Sequence, residues 1–122
     1  MKIRIQGNAV RIRLSKTDIE KLTNEGSVVE HTIFGKGRFS YGVEQRSDID
    51  QLSATFEDTK ITMLIPAAYT KGWPTNDIVG FDASIQTGTS DTLYLLIEKD
   101  FKCLDQTTED QSDQYENPKQ NC

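Results

Sequence analysis

KIRIQGNAVRIRL, residues 2–14, sets how the rest of this 122-residue chain is read. Ile3 and Ile5 alternate with Lys2, Arg4 and Gln6. After Gly7-Asn8 the alternation resumes, with Val10, Ile12 and Leu14 against Arg11 and Arg13. A period of two rich in β-branched residues makes half-buried strands. Gly7-Asn8 is either a tight turn between two strands or a bulge inside one long strand. Pairing across a turn would put Lys2, Arg4, Arg11 and Arg13 on one exposed face.

The period changes at Ser15. That residue is a good N-cap, and Asp18 stands three positions on, a capping box with Asp in place of the usual Glu. Ile19 and Leu22 share a face, and Gly26 supplies the stop. The pattern predicts a helix over residues 15–24. Residues 27–45 read as a hairpin turning at Gly35-Lys36-Gly37. A polar stretch, 46–51, leads to a second group of elements. Leu52, Ala54 and Phe56 alternate, as do Ile61, Met63 and Ile65. Pro66 suits the first turn of a short helix over 66–72. Two further alternating runs, ending at Ile85 and Glu98, complete the chain's ordered part.

The fold class expected is α+β: a small, mostly antiparallel β domain of about seven strands with two short helices. Residues 1–104 form the domain and 105–122 an acidic, flexible tail. The two halves repeat one plan. Strand 10–14, helix 15–24 and strands 27–34 and 38–45 are echoed by strand 61–65, helix 66–72 and strands 78–85 and 92–98. Such spacing fits a duplicated β-α-β-β unit, although short units of this kind also recur by chance.

Composition bounds the function. The mass is 13.8 kDa and the net charge −5. A chain of this size can bury about two-thirds of its extended surface and needs no metal or disulfide staple. No apolar run approaches the ~20 residues of a membrane span, and Arg11 and Arg13 break any leader-like stretch after Lys2 and Arg4. The two cysteines, Cys103 and Cys122, lie at or past the end of the core, which fits a reducing cytoplasm. Charge is polarised. Residues 1–16 carry only cations, Lys2, Arg4, Arg11, Arg13 and Lys16, whereas residues 100–122 are acidic.

Few residues offer chemistry. Lys2, Arg4, Arg11, Arg13 and Lys16 form a candidate nucleic-acid-binding set, because a two-stranded basic ribbon can enter a major groove. The competing reading is a solvated face that blunts an edge strand. Cys103 has Lys99 and Lys102 nearby, which would activate a thiol, but a small hydrophobe packing with Phe101 and Leu104 is the commoner case. Trp73, before Pro74 in a loop, is either an exposed binding anchor or core. His31 is the single histidine, so neither a Cys-His pair nor a zinc site is expected from it. No phosphate loop, calcium loop or assembled nucleophile is visible. The favoured expectation is a noncatalytic binding or structural module in the cytoplasm, with protein or nucleic acid as partner, no membrane and no cofactor. The alternatives are a DNA-binding regulator using the basic strands, and a small enzyme or metal-binding protein.

Two resemblances add to this reading. Lys2 to Val43, through Gly7, Asn8, Val10, Arg11, Ile12 and Arg13, resembles the swapped-hairpin domains of transition-state regulators and antitoxins. Ile61 to Ile97, with Ile65-Pro66 before the helix, resembles their later part. That likeness implies DNA binding, but those domains are about half this length, and the second half here lacks the arginines. The whole chain is similar to a family of short uncharacterised bacterial proteins that open Met-Lys-Ile-Arg-Ile with a Gly-Asn turn. They close on a segment like Glu98 to Leu104, followed by an acidic tail with Asn117-Pro118. This second resemblance implies a bacterial cytoplasmic protein without implying an activity.

Overall fold

Gly7 has a positive φ of 55°, so Gly7-Asn8 is a turn of the primed kind that matches strand twist. Strands β1 (Lys2–Gln6) and β2 (Ala9–Leu14) pair antiparallel across it, with Lys2 opposite Arg13 and Arg4 opposite Arg11. Helix α1 (Lys16–Glu25) begins as its sequence specifies. Ser15 accepts from the Asp18 amide, Asp18 accepts from the Ser15 amide, and Gly26 closes the helix at φ 90°. Its apolar face, Ile19 and Leu22, is buried.

The computed structural model describes residues 1–88 and 90–101. Among them follow β3 (Ser27–Phe34), β4 (Gly37–Arg46), β5 (Ser53–Glu57), β6 (Lys60–Pro66), α2 (Ala67–Thr70), β7 (Gly80–Gln86) and β8 (Thr92–Lys99). There are thus eight described strands, because Gly7-Asn8 separates two strands and does not bulge one. Helix α2 is a single turn, shorter than 66–72. Pro66 is its N-cap with an extended ψ of 135° and gives it no side-chain hydrogen bond. The tail, Cys103 and Cys122 lie outside the described residues.

The strands form two four-stranded sheets, β1-β2-β8-β7 (sheet A) and β3-β4-β6-β5 (sheet B). Four ladders are antiparallel hairpins; the central ladders, β2 with β8 and β4 with β6, are parallel. Each half of the chain therefore reads hairpin, helix, hairpin, and each sheet takes one hairpin from each half. The repeat reaches individual hydrogen bonds. The Asn8 side chain donates to the Thr92 carbonyl, as the Thr59 hydroxyl donates to that of Arg38. The Tyr94 amide donates to Asn8, as the Ser40 amide does to Thr59. The Lys99 amide donates to Val79, as the Gln45 amide does to Gly26.

One face of each sheet contributes to a single core. Ile12, Leu14, Leu95 and Ile97 of sheet A join Val28, Val43, Met63 and Ile65 of sheet B. Trp73 completes this core and is fully buried. Its ring meets Phe81 edge-on at 5.1 Å, Phe81 stacks on Tyr69 at 4.7 Å, and its indole N–H donates to the Ile78 carbonyl at 2.8 Å. The exposed-anchor reading of Trp73 is thereby corrected: a ring with no accessible surface and a satisfied N–H presents nothing to a partner.

Candidate functional site

The outer face of sheet A collects the basic residues. Alternation sends Ile3, Ile12 and Ile97 inward, so the residues between them point out. The register sets Lys2 beside Arg13 and Arg13 beside Glu98. It likewise sets Arg4 beside Arg11, and Arg11 beside Leu96. Lys2, Arg4, Arg11 and Arg13 do share one face. Lys16 opens α1 instead and is not among the residues lining the groove described below.

Strand β8 brings acid to this face. Arg13 Nε donates to Glu98 Oε1 at 2.7 Å, and Arg11 Nε lies 3.8 Å from the same oxygen. Lys2 Nζ pairs with Asp100 at 3.0 Å. Arg4 is placed differently. It donates to Gln6 Oε1 at 3.5 Å, and its Cα partner is another arginine. An open groove of about 300 Å³ runs over this spot, lined by Arg4, Gln6, Arg11, Tyr94 and the apolar Val10 and Leu96. Tyr94 donates its hydroxyl to Asp82 at 3.0 Å. Burial pushes the Tyr94 hydroxyl pKa up, and the negative charges of Asp82 and Glu98 push it further. It remains a neutral donor at physiological pH.

Chemically, the groove offers two guanidinium groups, an amide and a phenol over an apolar floor. Guanidinium forks suit carboxylate or phosphate oxygens. Gln6, Tyr94, Leu96 and Glu98 were not identified by sequence reasoning as part of this site. Gln6 ends β1, while the alternation of Tyr94, Leu96 and Glu98 within β8 was readable, but the neighbour of β8, β2, lies at the other end of the chain.

A model of a family of unknown function, DUF7009, matches residues 1–119. The chain belongs to this family. No curated protein and no solved structure matches it, so the likeness to swapped-hairpin regulators gains no support from relatives. Within this DUF7009 chain, no described helix is long and apolar enough to cross a membrane, and no described group of three or more His, Cys, Asp or Glu could hold a metal ion. His31 is exposed, with Nδ1 2.7 Å from the Ser40 hydroxyl.

A second polar cluster ties β1, α1, β3 and β4 together. The Met1 amine lies 3.0 Å from Asp18 and 3.1 Å from Glu30, and the Tyr41 hydroxyl donates to Glu30 at 2.9 Å. Burial lowers the pKa of this amine, but its two carboxylate partners outweigh that and raise it above 8.0. Burial likewise works to raise Asp18, but the Ser15 amide and hydroxyl and the ammonium hold it below 3.8. The donors and acceptors of this cluster are spent on one another, which makes it a structural clasp.

Proposed function

We propose that this chain is a noncatalytic binding module that holds an anionic group of its partner, a carboxylate or a phosphate, between Arg4 and Arg11. The observation carrying this reading is the contrast between repeated halves. Like charges set directly opposite on adjacent strands destabilise a sheet. The matching pair in sheet B is Thr55 opposite Thr62, so the repeated fold forms without a charge there. A bound anion would turn the arginine clash into a clamp.

Titration calorimetry with inorganic phosphate, a glutamate-rich peptide and a mixed-sequence duplex tests it. At least one probe binds the wild type, and Arg4→Thr/Arg11→Thr weakens it at least about tenfold, the loss of a bidentate charged contact. Equal binding by wild type and double variant sinks the reading.

DNA binding is the second reading, favoured by four cations on one face of a two-stranded ribbon. Glu98 and Asp100 work against it by engaging Arg11, Arg13 and Lys2. Its mark would be duplex affinity that falls steeply above ~50 mM salt and needs Arg13 as well as Arg11.

A further inference from the structure

The chain leaves sheet A beside the basic end of its outer face. The Asp100 amide donates to the Leu14 carbonyl, and the Asp100 carboxylate pairs with Lys2 at 3.0 Å. These contacts hold the last described residues next to β1 and β2. Residues 105–116 then carry Asp105, Glu109, Asp110, Asp113 and Glu116 and no cation.

The face they leave from has the opposite sign. Lys2, Arg4, Arg11 and Arg13 all point outward, as the registers of β1 with β2 and of β2 with β8 require. The outward acids of β8 and β7 are Glu98 and Asp82, and both are engaged, Glu98 by Arg13 and Arg11 and Asp82 by the Tyr94 hydroxyl. Four cations against these two carboxylates leave the face positive in a chain of net charge −5. The surplus sits at Arg4. Among the described residues no carboxylate pairs with it; its hydrogen bond goes to the neutral Gln6, and Arg11 stands directly opposite. Sheet B offers no such pair at the matching places, where Thr55 faces Thr62 and Lys60 faces Glu57.

We infer that residues 105–116 fold back over the outer face of sheet A and seat a carboxylate between Arg4 and Arg11 of their own chain. The inference rests on the reading of that groove as an anion site and adds its regulator, since an incoming anion must displace the tail. The geometry allows it. Strand rise puts Arg4 about 7 Å along β1 from Lys2, where the chain leaves. Asp105 has up to about 17 Å of extended chain beyond Asp100, and Glu109 up to about 30 Å. Guanidinium forks receive carboxylates as well as phosphates. An exposed ion pair is weak, but tethering supplies the tail's carboxylates at an effective concentration on the millimolar scale, so the contact needs little affinity of its own.

Zero-length carbodiimide coupling of full-length Arg4→Lys at ~50 mM salt tests it, because this reagent joins only an amine and a carboxylate already in contact. The 3.0 Å Lys2–Asp100 pair is the internal control and reports that the fold is intact. Peptide mapping of the monomer should show position 4 joined to one of the five carboxylates between 105 and 116. The yield should fall at least about fivefold at ~500 mM salt. Calorimetry with inorganic phosphate separates this inference from the reading it rests on. Full-length Asp105→Asn/Glu109→Gln/Asp110→Asn/Asp113→Asn/Glu116→Gln should bind phosphate at least about threefold more tightly than the wild type. Adding Arg4→Thr/Arg11→Thr should remove that gain. A Lys2–Asp100 link without one from position 4 to the tail, a tail link found only between two copies, or a phosphate affinity unmoved by the neutral tail overturns the inference and leaves the groove's reading standing. A tail link within one chain, with none of the three anionic probes bound by either chain, supports the tail's seat and removes the external anion.

Discussion

The outer faces of the two sheets occupy matching places in one repeated plan and differ in what they carry. Sheet A presents Lys2, Arg4, Arg11 and Arg13 with Glu98 beside them. At the corresponding positions sheet B presents Ser53, Thr55, Thr62 and Leu64 with Glu44 beside them. The shared glutamate belongs to the plan; the arginines belong to one face only. Where backbone, register and hydrogen bonds are repeated, a difference in side chains marks what the architecture itself does not need.

The largest expected effect concerns the core that serves both halves. Helix α1 seals its side with Ile19 and Leu22, whereas the one-turn α2 is followed by Trp73. Trp73→Ala should cost about 3–5 kcal/mol, and a chemical-denaturation midpoint reads the loss directly. A cost below ~1 kcal/mol would show that the aromatic group around Phe81 is dispensable.

The paired glutamates sharpen the comparison next. Glu98→Gln releases Arg13 and Arg11, so affinity for an anionic probe should rise several-fold; stability should fall by no more than about 1 kcal/mol, since these ion pairs are partly solvated. Glu44→Gln loosens only a 3.9 Å contact to Arg46 and should change neither quantity measurably. Calorimetry and thermal melts on both variants check the asymmetry.

The two helix starts differ in their response to pH. Asp18 has a folded pKa below its unfolded 3.8, so its contribution is present above that value and is lost as pH falls through the depressed one. The Met1 amine is raised above 8.0. Its contribution is complete below pH 8.0 and disappears as pH rises through the raised value. Pro66, without a side-chain cap, has no such dependence. Asp18→Asn should therefore flatten the stability profile at both extremes and cost about 1 kcal/mol at neutral pH. An unchanged profile in denaturant melts run from well below pH 3.8 to well above pH 8.0 would refute the clasp.

The smallest effect lies in the matching turns. Asp58 and Thr59 both have positive φ, 51° and 57°, and Thr59 is β-branched, a costly choice there. Asn8 stands at the equivalent place in sheet A and makes the equivalent carbonyl contact, there without a positive φ. Thr59→Asn should keep that bond, relieve the strain and stabilise by about 0.5–1 kcal/mol. A lower melting temperature would mean that the threonine methyl contributes more than the strain costs.

Much of this was legible in residues 2–14 and 15–26. A period of two names strands regardless of neighbours, and Ser15, Asp18 and Gly26 encode the ends of α1 through local hydrogen bonds. The common face of Lys2, Arg4, Arg11 and Arg13 followed from one turn. The groove did not, because Tyr94, Leu96 and Glu98 reach it through a parallel pairing that no local signal announces. Trp73 was ambiguous because Gly72, Pro74 and the polar residues 75–77 read as loop, while its partners Tyr69 and Phe81 are supplied by different elements. Helix α2 was overestimated because Pro66 permits a helix start, and here it remains extended as the final residue of β6.

The exchange of hairpins between sheets has a kinetic consequence. Sheet A cannot close until β8 reaches β2, and sheet B cannot close until β6, from the second half, reaches β4. Neither half of the chain contains a finished sheet, so no half has a stable intermediate in which to wait. Local hairpins form in microseconds, but the β2–β8 ladder must bring together strands from opposite ends of the chain, and so long a closure slows folding. The two halves should therefore behave as complementary fragments. Peptides divided within residues 47–51 should each be unstructured by circular dichroism and gain β signal only when mixed. The internal repeat, which looks like two units in sequence, thus yields one cooperative folding event.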